Sequence, residues 1–332
     1  MPPSFGSPEK PDSGSTADHP KAKTSFWTDE LGYLHAVVAI VGTMMVGWAI
    51  EFFLGGKGVT PPSWPVNILF LGFFCSWLIL LSRFENRLIA WLAGVPFAII
   101  CLVGLIILGA IGGIFPQDPT TAPSWIRILG MDHVFRGAPF LLLILLLLTN
   151  LGLTTLQKVR QLGRKAWFFS LNHLGIWITL AAGFFGTGDI TRGRTILREG
   201  QAEAMIVDGK GNHGFLPFGL LLSRFFVETY PEGPGIQRGI AKRFVAEVTV
   251  LRKSQVRETA VIEVNRPLHL DGWDLYLTNY ELSDSGTTDQ CLVEAVRDPW
   301  LPIVYAGIFL WLFGAVAMLF RCPFDQKGEN KS

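Results

Sequence analysis

The sequence is poor in charged residues and contains no familiar catalytic signature. Only 17% of its 332 residues are Asp, Glu, Lys or Arg, whereas a typical soluble domain has about 25%. The formal net charge is +1, which argues against a nucleic-acid partner and against a strongly charged channel. No G-x-S-x-G, P-loop or dinucleotide fingerprint occurs. Nothing therefore indicates a hydrolase, a kinase or a dehydrogenase.

Cysteine is scarce as well. The four cysteines are scattered and form neither C-x-x-C nor C-x-x-C-H: Cys75, Cys101, Cys291 and Cys322. The first absence argues against a thioredoxin-like redox role, and the second means that the chain is not itself a c-type cytochrome. No clustered histidines and cysteines have the spacing of a structural zinc site.

Long apolar runs account for the low charge. About 20 residues are needed to cross the hydrocarbon core of a bilayer as a helix. Six stretches are predicted to do so: about 34–54, 66–83, 88–115, 137–157, 168–187 and 300–320. The second is short, so a tilted or interfacial helix is an alternative for it.

A stretch of ordinary soluble composition, residues 190–298, separates the last two apolar runs. Four of its segments alternate or are rich in β-branched and aromatic residues between Gly, Pro and Asn breaks, and are predicted strands: AEAMIVDG, KRFVAEVTVLRK, ETAVIEVNRPL and WDLYLTNYE. An antiparallel sheet or sandwich is therefore expected. The predicted fold class is a polytopic α-helical membrane protein of about six transmembrane helices, with one mainly-β extracytoplasmic domain inserted before the last helix.

Basic residues in short loops predict the orientation, because such loops tend to remain in the cytoplasm. The connection between the fourth and fifth runs carries four of them: Lys158, Arg160, Arg164 and Lys165. If this loop is cytoplasmic, both termini are cytoplasmic too, and residues 190–298 lie outside. The N-terminal segment 1–27 is rich in Pro, Ser and Gly and has no aliphatic run, which is typical of a disordered tail.

His173 is the most informative single residue, because it lies inside the fifth apolar run in SLNHLGIWITLAAGFFG. Ionisable side chains within a span are costly and often functional, and a neutral imidazole is a good axial ligand for haem iron. The alternative is a structural histidine that bonds a neighbouring helix through Asn172 or a backbone carbonyl. The residues alone leave both open.

Other histidines and one glutamate could have either a structural or a functional role. His133 precedes the fourth run in GMDHVFRGAPF, where it is either a second ligand or a surface loop residue. Glu51 ends the first run, where an interfacial position is favoured over a proton or ion path. His213 and His269 are expected at turns or on the surface of the β domain.

Several segments together resemble the ResB family of cytochrome c assembly factors. The resemblance covers roughly residues 88–322 and rests on the order of its segments, none of which is decisive alone. These segments are LGAIGGIFPQ, LGMDHVFRGAPFLLLILLLLTNLGLTTLQKVRQL, NHLGIWITLAAGFFG with ITRGRTILREGQ, LPFGLLLSRFFVETYPEG, VNRPLHLDGWDLYLTNY and VRDPWLPIVYAGIFLWLFGAVAMLF.

The resemblance implies a division of the chain. It separates a disordered cytoplasmic tail, an extra two-helix membrane segment absent from the usual family member, ResB-like transmembrane helices, a β-rich extracytoplasmic domain, a final helix and a cytoplasmic tail. The disordered tail is residues 1–27, the extra segment 28–87, the ResB-like helices 88–189, the β-rich domain 190–298, the final helix 299–321 and the cytoplasmic tail 322–332. The β domain looks short for the family, and Arg266 stands where a histidine is sometimes found.

The resemblance also implies a function. ResB-like proteins pair with a CcsA-like membrane protein, which carries a tryptophan-rich loop that this chain lacks, to attach haem to apocytochrome c outside the bacterial cytoplasmic (inner) membrane. His173 matches the family's membrane histidine, so it is expected to ligate haem b in transit, and the chain would be at most half of a haem lyase. A thioredoxin-like thiol reductant is a further expected partner.

Two functions from other classes remain as alternatives. One is a non-catalytic membrane scaffold that displays the β domain to partner proteins, with His173 structural. The other is a secondary transporter, against which the lack of inverted repeats and of paired broken helices counts.

Overall fold

The computed structural model describes residues 30–117, 122–162, 167–230, 241–252, 257–280 and 290–321. The predicted tails, Arg164, Lys165 and Cys322 lie outside these residues. Eight α-helices occur in the described part of the chain: α1 (Glu30–Phe53), α2 (Val66–Leu81), α3 (Arg87–Leu92), α4 (Val95–Ile114), α5 (Ser124–Ile128), α6 (Ala138–Leu162), α7 (Trp167–Gly186) and α8 (Leu301–Arg321).

Five of the helices are long and apolar enough to cross a membrane: α1, α4, α6, α7 and α8. The remaining apolar helix, α2, has 16 residues, fewer than the roughly 20 that a perpendicular span needs. Large apolar side chains such as Val38, Leu69 and Phe309 are exposed along these helices, as expected of surfaces that face lipid. The prediction of several long apolar helices is therefore confirmed, whereas the number that cross a membrane, about six in the prediction, stays a prediction.

The predicted span over 88–115 is not one continuous helix, and the prediction is wrong on this point. Helix α3 ends at Leu92, and α4 begins at Val95 after Gly94, whose backbone is extended, with Pro96 in the first turn of α4. Proline has no N–H to donate, and within a continuous helix the ring of Pro96 would clash with the carbonyl four residues earlier, that of Leu92. The freed carbonyls find partners on α6: Asn150 donates to Leu92 and Gly94, and Thr154 donates to Ala93.

Between α7 and α8, the described residues form an antiparallel sheet of eight strands. In chain order they are β1 (Thr191–Arg198), β2 (Ala202–Val207), β3 (His213–Thr229), β4 (Ala241–Leu251), β5 (Arg257–Glu263), β6 (Leu268–Leu270), β7 (Trp273–Tyr280) and β8 (Gln290–Arg297). The spatial order is β5-β4-β3-β2-β1-β8-β7-β6. The first strand thus pairs with the last, from Thr191 opposite Arg297 to Arg198 opposite Gln290.

The sheet curls around one apolar interior, to which strands from both halves of the domain contribute. Leu220 on β3, Val248 on β4, Leu275 on β7 and Val293 on β8 are all fully buried in the same cluster. Buried and less buried positions alternate along β8, as the two-residue period of a strand requires. The sheet is therefore barrel-like, with its core enclosed by its own strands, and the predicted mainly-β domain between helices is confirmed.

Candidate functional site

His173 lies in α7, six residues after the helix begins at Trp167. Its imidazole stacks on the ring of Phe169, with the ring centroids 3.9 Å apart and the planes inclined by 24°. The Nδ1 atom is 3.1 Å from the backbone carbonyl oxygen of Phe169. These two contacts, one turn back along the helix, hold the ring in one orientation.

The contact with Phe169 determines which nitrogen of His173 is left for a ligand. The carbonyl oxygen can only accept, so Nδ1 carries the proton and donates it, and Nε2 keeps an unshared electron pair. In the part of the chain that the structure describes, Nε2 has no hydrogen-bonding partner. Metal-bound histidines are commonly oriented by such a contact to a backbone carbonyl. The arrangement therefore suits ligation through Nε2.

The rest of α7 is anchored mainly on α8. Gly175 lies so close to α8 that a Cβ atom there would come within 2.3 Å of the backbone nitrogen of Trp311. Gly307 and Gly314 on α8 approach Thr179 and Asn172 in the same way. Small residues allow this close approach of helical backbones. Because successive residues on a helix turn by about 100°, His173 points away from this seam.

Ser170 lies one turn before His173, on a similar side of α7. Its Oγ is buried and, among the described residues, is a side-chain oxygen without a hydrogen-bonding partner. A buried hydroxyl without a partner costs free energy, so it is a position at which a polar group from outside the chain would be stabilised. No group of three or more His, Cys, Asp or Glu residues that could hold a metal occurs in the described ranges. Ligation of haem iron by His173 therefore stays a prediction, in which His173 would act without a cluster of further ligands from the described residues.

His133 lies at the opposite end of the bundle, between two carboxylates. Its Nε2 is 2.8 Å from Oε1 of Glu51, and its Nδ1 is 2.8 Å from Oδ1 of Asp132. Both carboxylate residues are only 1% exposed. Both ring nitrogens are thus engaged, and a ligand role for His133, which stays a prediction, would require one of these contacts to break.

Glu51 makes three kinds of contact from the end of α1. Besides His133, it accepts the backbone N–H of Gly58 at 2.7 Å and that of Ala138 at 3.2 Å. A buried carboxylate is tolerated when it is paired and hydrogen-bonded in this way. The expected interfacial position is therefore replaced by a buried one, which joins α1 to the beginning of α6.

A second polar junction, missed by the sequence analysis, joins the helices at the base of the β domain. The carboxylate of Asp189 accepts the backbone N–H of Trp64 and the side-chain N–H groups of Asn67 and Trp300, each at 2.7 Å. Asn67 is fully buried and also donates to the carbonyl of Phe185 at 3.0 Å. Asp189 therefore fixes the ends of α2, α7 and α8 together below β1.

The remaining candidates are consistent with the roles expected for them. His213 and His269 are exposed, and Nδ1 of His269 lies 2.5 Å from Asp274 across a strand pair. Cys75, Cys101 and Cys291 are free thiols. Burial raises the pKa of the Cys291 thiol to about 12, so this thiol is not a nucleophile at neutral pH.

Fold and site define a class of protein: a helical membrane bundle with one histidine in a span and an antiparallel β domain inserted before the last helix. Within this class, residues 165–297 match the model of the ResB-like family. The match includes His173, Asp189 and the whole β domain. The predicted resemblance to ResB is thus confirmed for this part of the chain.

Solved structures and curated proteins give no further support for the family or the function. Three chains of known structure match, among them one described as cytochrome c heme lyase CcmF. It is 13% identical, with a TM-score of 0.33, and the match covers 74% of this chain and 38% of that one. The chain thus spans well under half the length of that structure, and a similarity this low supports no argument. No curated protein matches the sequence.

Proposed function

We propose that this chain is a cytochrome c assembly factor that binds haem b and presents it, together with a CcsA-like membrane protein, for attachment to apocytochrome c. The observation that carries the proposal is the free Nε2 of His173, held in position by Phe169 within the segment that matches the ResB-like family. Haem is here the substrate in transit.

The residues around His173 fit such a substrate. The neutral imidazole is a good ligand for haem iron, and its aromatic neighbour Phe169 extends the flat apolar surface beside it. One ligand from this chain leaves the second axial position for the CcsA-like partner. The role of His173 is then to bind the iron and hold the porphyrin in one orientation.

The reaction that the complex supports adds a cysteine thiol of apocytochrome c across a haem vinyl group. A carbon–sulfur bond forms, the thiol proton ends on the neighbouring vinyl carbon, and the addition itself consumes no electrons. The thiols must arrive reduced, so a thioredoxin-like thiol reductant is proposed as a further partner. The contribution of this chain is ligation, orientation and shielding, which makes it at most half of a haem lyase.

The proposed location is the bacterial cytoplasmic membrane. The end of α6 that carries Lys158 and Arg160 then faces the cytoplasm, because basic residues at the ends of spans tend to remain on that side. The β domain, at the opposite ends of α7 and α8, then lies outside, where apocytochrome c is modified. His173 lies near the cytoplasmic end of its span, the side from which haem is supplied.

A non-catalytic scaffold is the second candidate. The glycine seam between α7 and α8 and the junction at Asp189 favour it, because both hold the β domain firmly on the bundle. In that case, Asn172 and His173 would only stabilise the helix pair and α7 itself, through the bonds to Trp311 and Phe169.

The visible absorption spectrum of the purified chain, with and without its CcsA-like partner, separates the two functions. We expect wild type with its partner to show the Soret band and reduced spectrum of six-coordinate haem, and His173→Ala to lose or weaken them. His35→Ala is a matched control, because His35 lies on an exposed face of α1 near the same end of the bundle. An unchanged spectrum in His173→Ala, or no haem in the wild-type complex, would leave the scaffold as the function.

A further inference from the structure

An apolar cavity of about 310 Å³ opens between α2, α6 and α7, at the end of the bundle nearest the β domain. Its wall consists mostly of aromatic and aliphatic side chains, among them Phe70 and Phe74 on α2, Leu141 on α6, and Phe184 and Phe185 on α7. A cavity with such a lining binds an apolar group and offers it few hydrogen bonds.

One charged residue, Arg136, lines this cavity. It lies in the short turn before α6, where its carbonyl oxygen accepts the backbone N–H of Val59 at 2.9 Å. In the part of the chain that the structure describes, its guanidinium forms no ion pair, and the residue is exposed. An apolar cavity with a free cation at its mouth is suited to an amphiphile that carries an anionic group.

The surroundings of Arg136 strengthen the positive charge of this end. Lys57 is also close to this end, because both of its neighbours in the chain pack on basic residues. Gly56 lies next to the backbone carbonyl of Arg127, and Gly58 lies next to the backbone of Arg136. Among the described residues, the carboxylates of this end form no ion pair with these cations. Glu51 and Asp132 are buried and bound to His133, and Asp189 accepts three N–H groups from uncharged donors. The three basic residues therefore produce a positive region beside the mouth of the cavity.

The lining also decides which amphiphile fits. It contains no histidine, cysteine, methionine, tyrosine or lysine, so haem would find no axial ligand there. Helices α2 and α6 begin beside the mouth of the cavity, and α7 ends there. The mouth is therefore at the depth of the lipid headgroups. Pockets between spans with a basic rim are suited to anionic lipid headgroups.

We propose that this cavity binds an anionic phospholipid, with part of an acyl chain among the phenylalanines and the phosphate at Arg136. The site is formed largely by α2 and by the loop before it, in the segment outside the ResB-like match. It is separate from His173, which lies near the other end of α7. The N-terminal helices would thus add a lipid-binding function to the ResB-like part.

Native mass spectrometry tests the proposal on the full-length protein. The delipidated chain is incubated with equal amounts of phosphatidylglycerol and phosphatidylcholine that have identical acyl chains. We expect wild type to retain phosphatidylglycerol about fivefold better, the effect of one basic residue at a membrane surface. Arg136→Gln should lose this preference. Arg83→Gln should keep it, because Arg83 is an exposed arginine just beyond the last residue of α2, at the end of that helix away from the cavity mouth.

A second variant tests the cavity itself. Leu141→Trp fills it from α6 and should reduce retention of both lipids. Equal retention of the two lipids by wild type, an unchanged preference in Arg136→Gln, or undiminished retention in Leu141→Trp would each overturn the proposal. The haem spectrum should be the same in wild type and Arg136→Gln, so failure of this proposal leaves the proposed function untouched.

Discussion

Glu51 Oε1 lies 2.8 Å from Nε2 of His133, although the two residues are 82 positions apart. One closes the first membrane helix and the other lies in the loop before α6. Because Glu51 also accepts the N–H groups of Gly58 and Ala138, its carboxylate is a polar contact that fixes the end of α1 to the beginning of α6.

Replacing Glu51 by alanine should therefore destabilise the protein strongly. His133 and the backbone N–H groups of Gly58 and Ala138 would all lose a buried hydrogen-bonding partner, and each buried polar group left without a partner typically costs about 1–3 kcal/mol. Thermal unfolding in detergent measures the effect. Glu85→Ala is the control, because Glu85 is exposed and should change stability by less than about 0.5 kcal/mol. Equal unfolding temperatures for the two variants would contradict a structural role for the Glu51–His133 pair.

Asp189→Asn tests the junction below the β domain. The asparagine amide has one acceptor oxygen instead of two, and its NH₂ group would face one of the three donors: Trp64, Asn67 or Trp300. An unsatisfied donor of this kind costs about 1–3 kcal/mol. The measurement is again thermal unfolding, with the exposed Asp271→Asn as control, since that residue forms only a long ion pair with Arg252. A variant as stable as wild type would mean that the carboxylate does not hold these elements together.

The seam between α7 and α8 can be tested with two glycines of the same helix. At Gly175 a Cβ atom would come within 2.3 Å of the backbone of α8, whereas at Gly183 nothing lies within 4 Å. Gly175→Ala should push the helices apart at a cost of about 1–3 kcal/mol. Gly183→Ala should be neutral or slightly stabilising, because alanine is the better helix former. Similar unfolding temperatures would rule out tight packing at Gly175.

Cys291 provides a prediction about reactivity and pH. The residue is 2% exposed in the core of the β domain, and burial raises the pKa of its thiol from 9.0 to about 12. At pH 8 the folded protein should leave this thiol unmodified by maleimide, whereas denatured protein should react quickly. Mass spectrometry of the peptide containing Cys291 measures both. Rapid labelling of the folded protein would contradict the burial.

The same thiol should make the domain less stable at high pH. Between about pH 9 and 12 the unfolded chain releases this proton while the folded chain retains it, so the unfolded state binds fewer protons. The free energy of unfolding should then fall by up to about 1.4 kcal/mol per pH unit. In Cys291→Ala the free energy of unfolding should decline less steeply between about pH 9 and 12 than in wild type. The same slope in both proteins would contradict a raised pKa for the Cys291 thiol.

Sequence reasoning recovered the features that follow from local pattern. Of the six apolar runs predicted to span, five contain the long apolar helices α1, α4, α6, α7 and α8, and alternating β-branched residues predicted β2, β4, β5 and β7. The analysis missed β3, because apolar residues in LPFGLLLSRFF occupy both odd and even positions, so the two-residue period of a half-buried strand is not visible. Short β6 has only three residues, too few for any periodicity to be recognised.

The polar junctions could not be predicted for a different reason. Glu51 and His133, or Asp189 and Asn67, come together only when distant helices pack, and a single sequence records no such pairing. Each residue alone looks like an ordinary loop or helix-end residue. His173, by contrast, was recognisable because a polar group within an apolar run is unusual wherever its partners lie.

The pairing of β1 with β8 determines when the domain can be completed during synthesis. Until β8 has been made, one edge of β1 has no neighbouring strand, and no strand pair yet joins the group β5 to β1 with the hairpin of β6 and β7. An open strand edge is a template for pairing with the wrong chain. A ribosome that stalls before residue 290 would therefore release a chain whose membrane helices α1 to α7 are in place but whose sheet lacks the strand that joins its two parts.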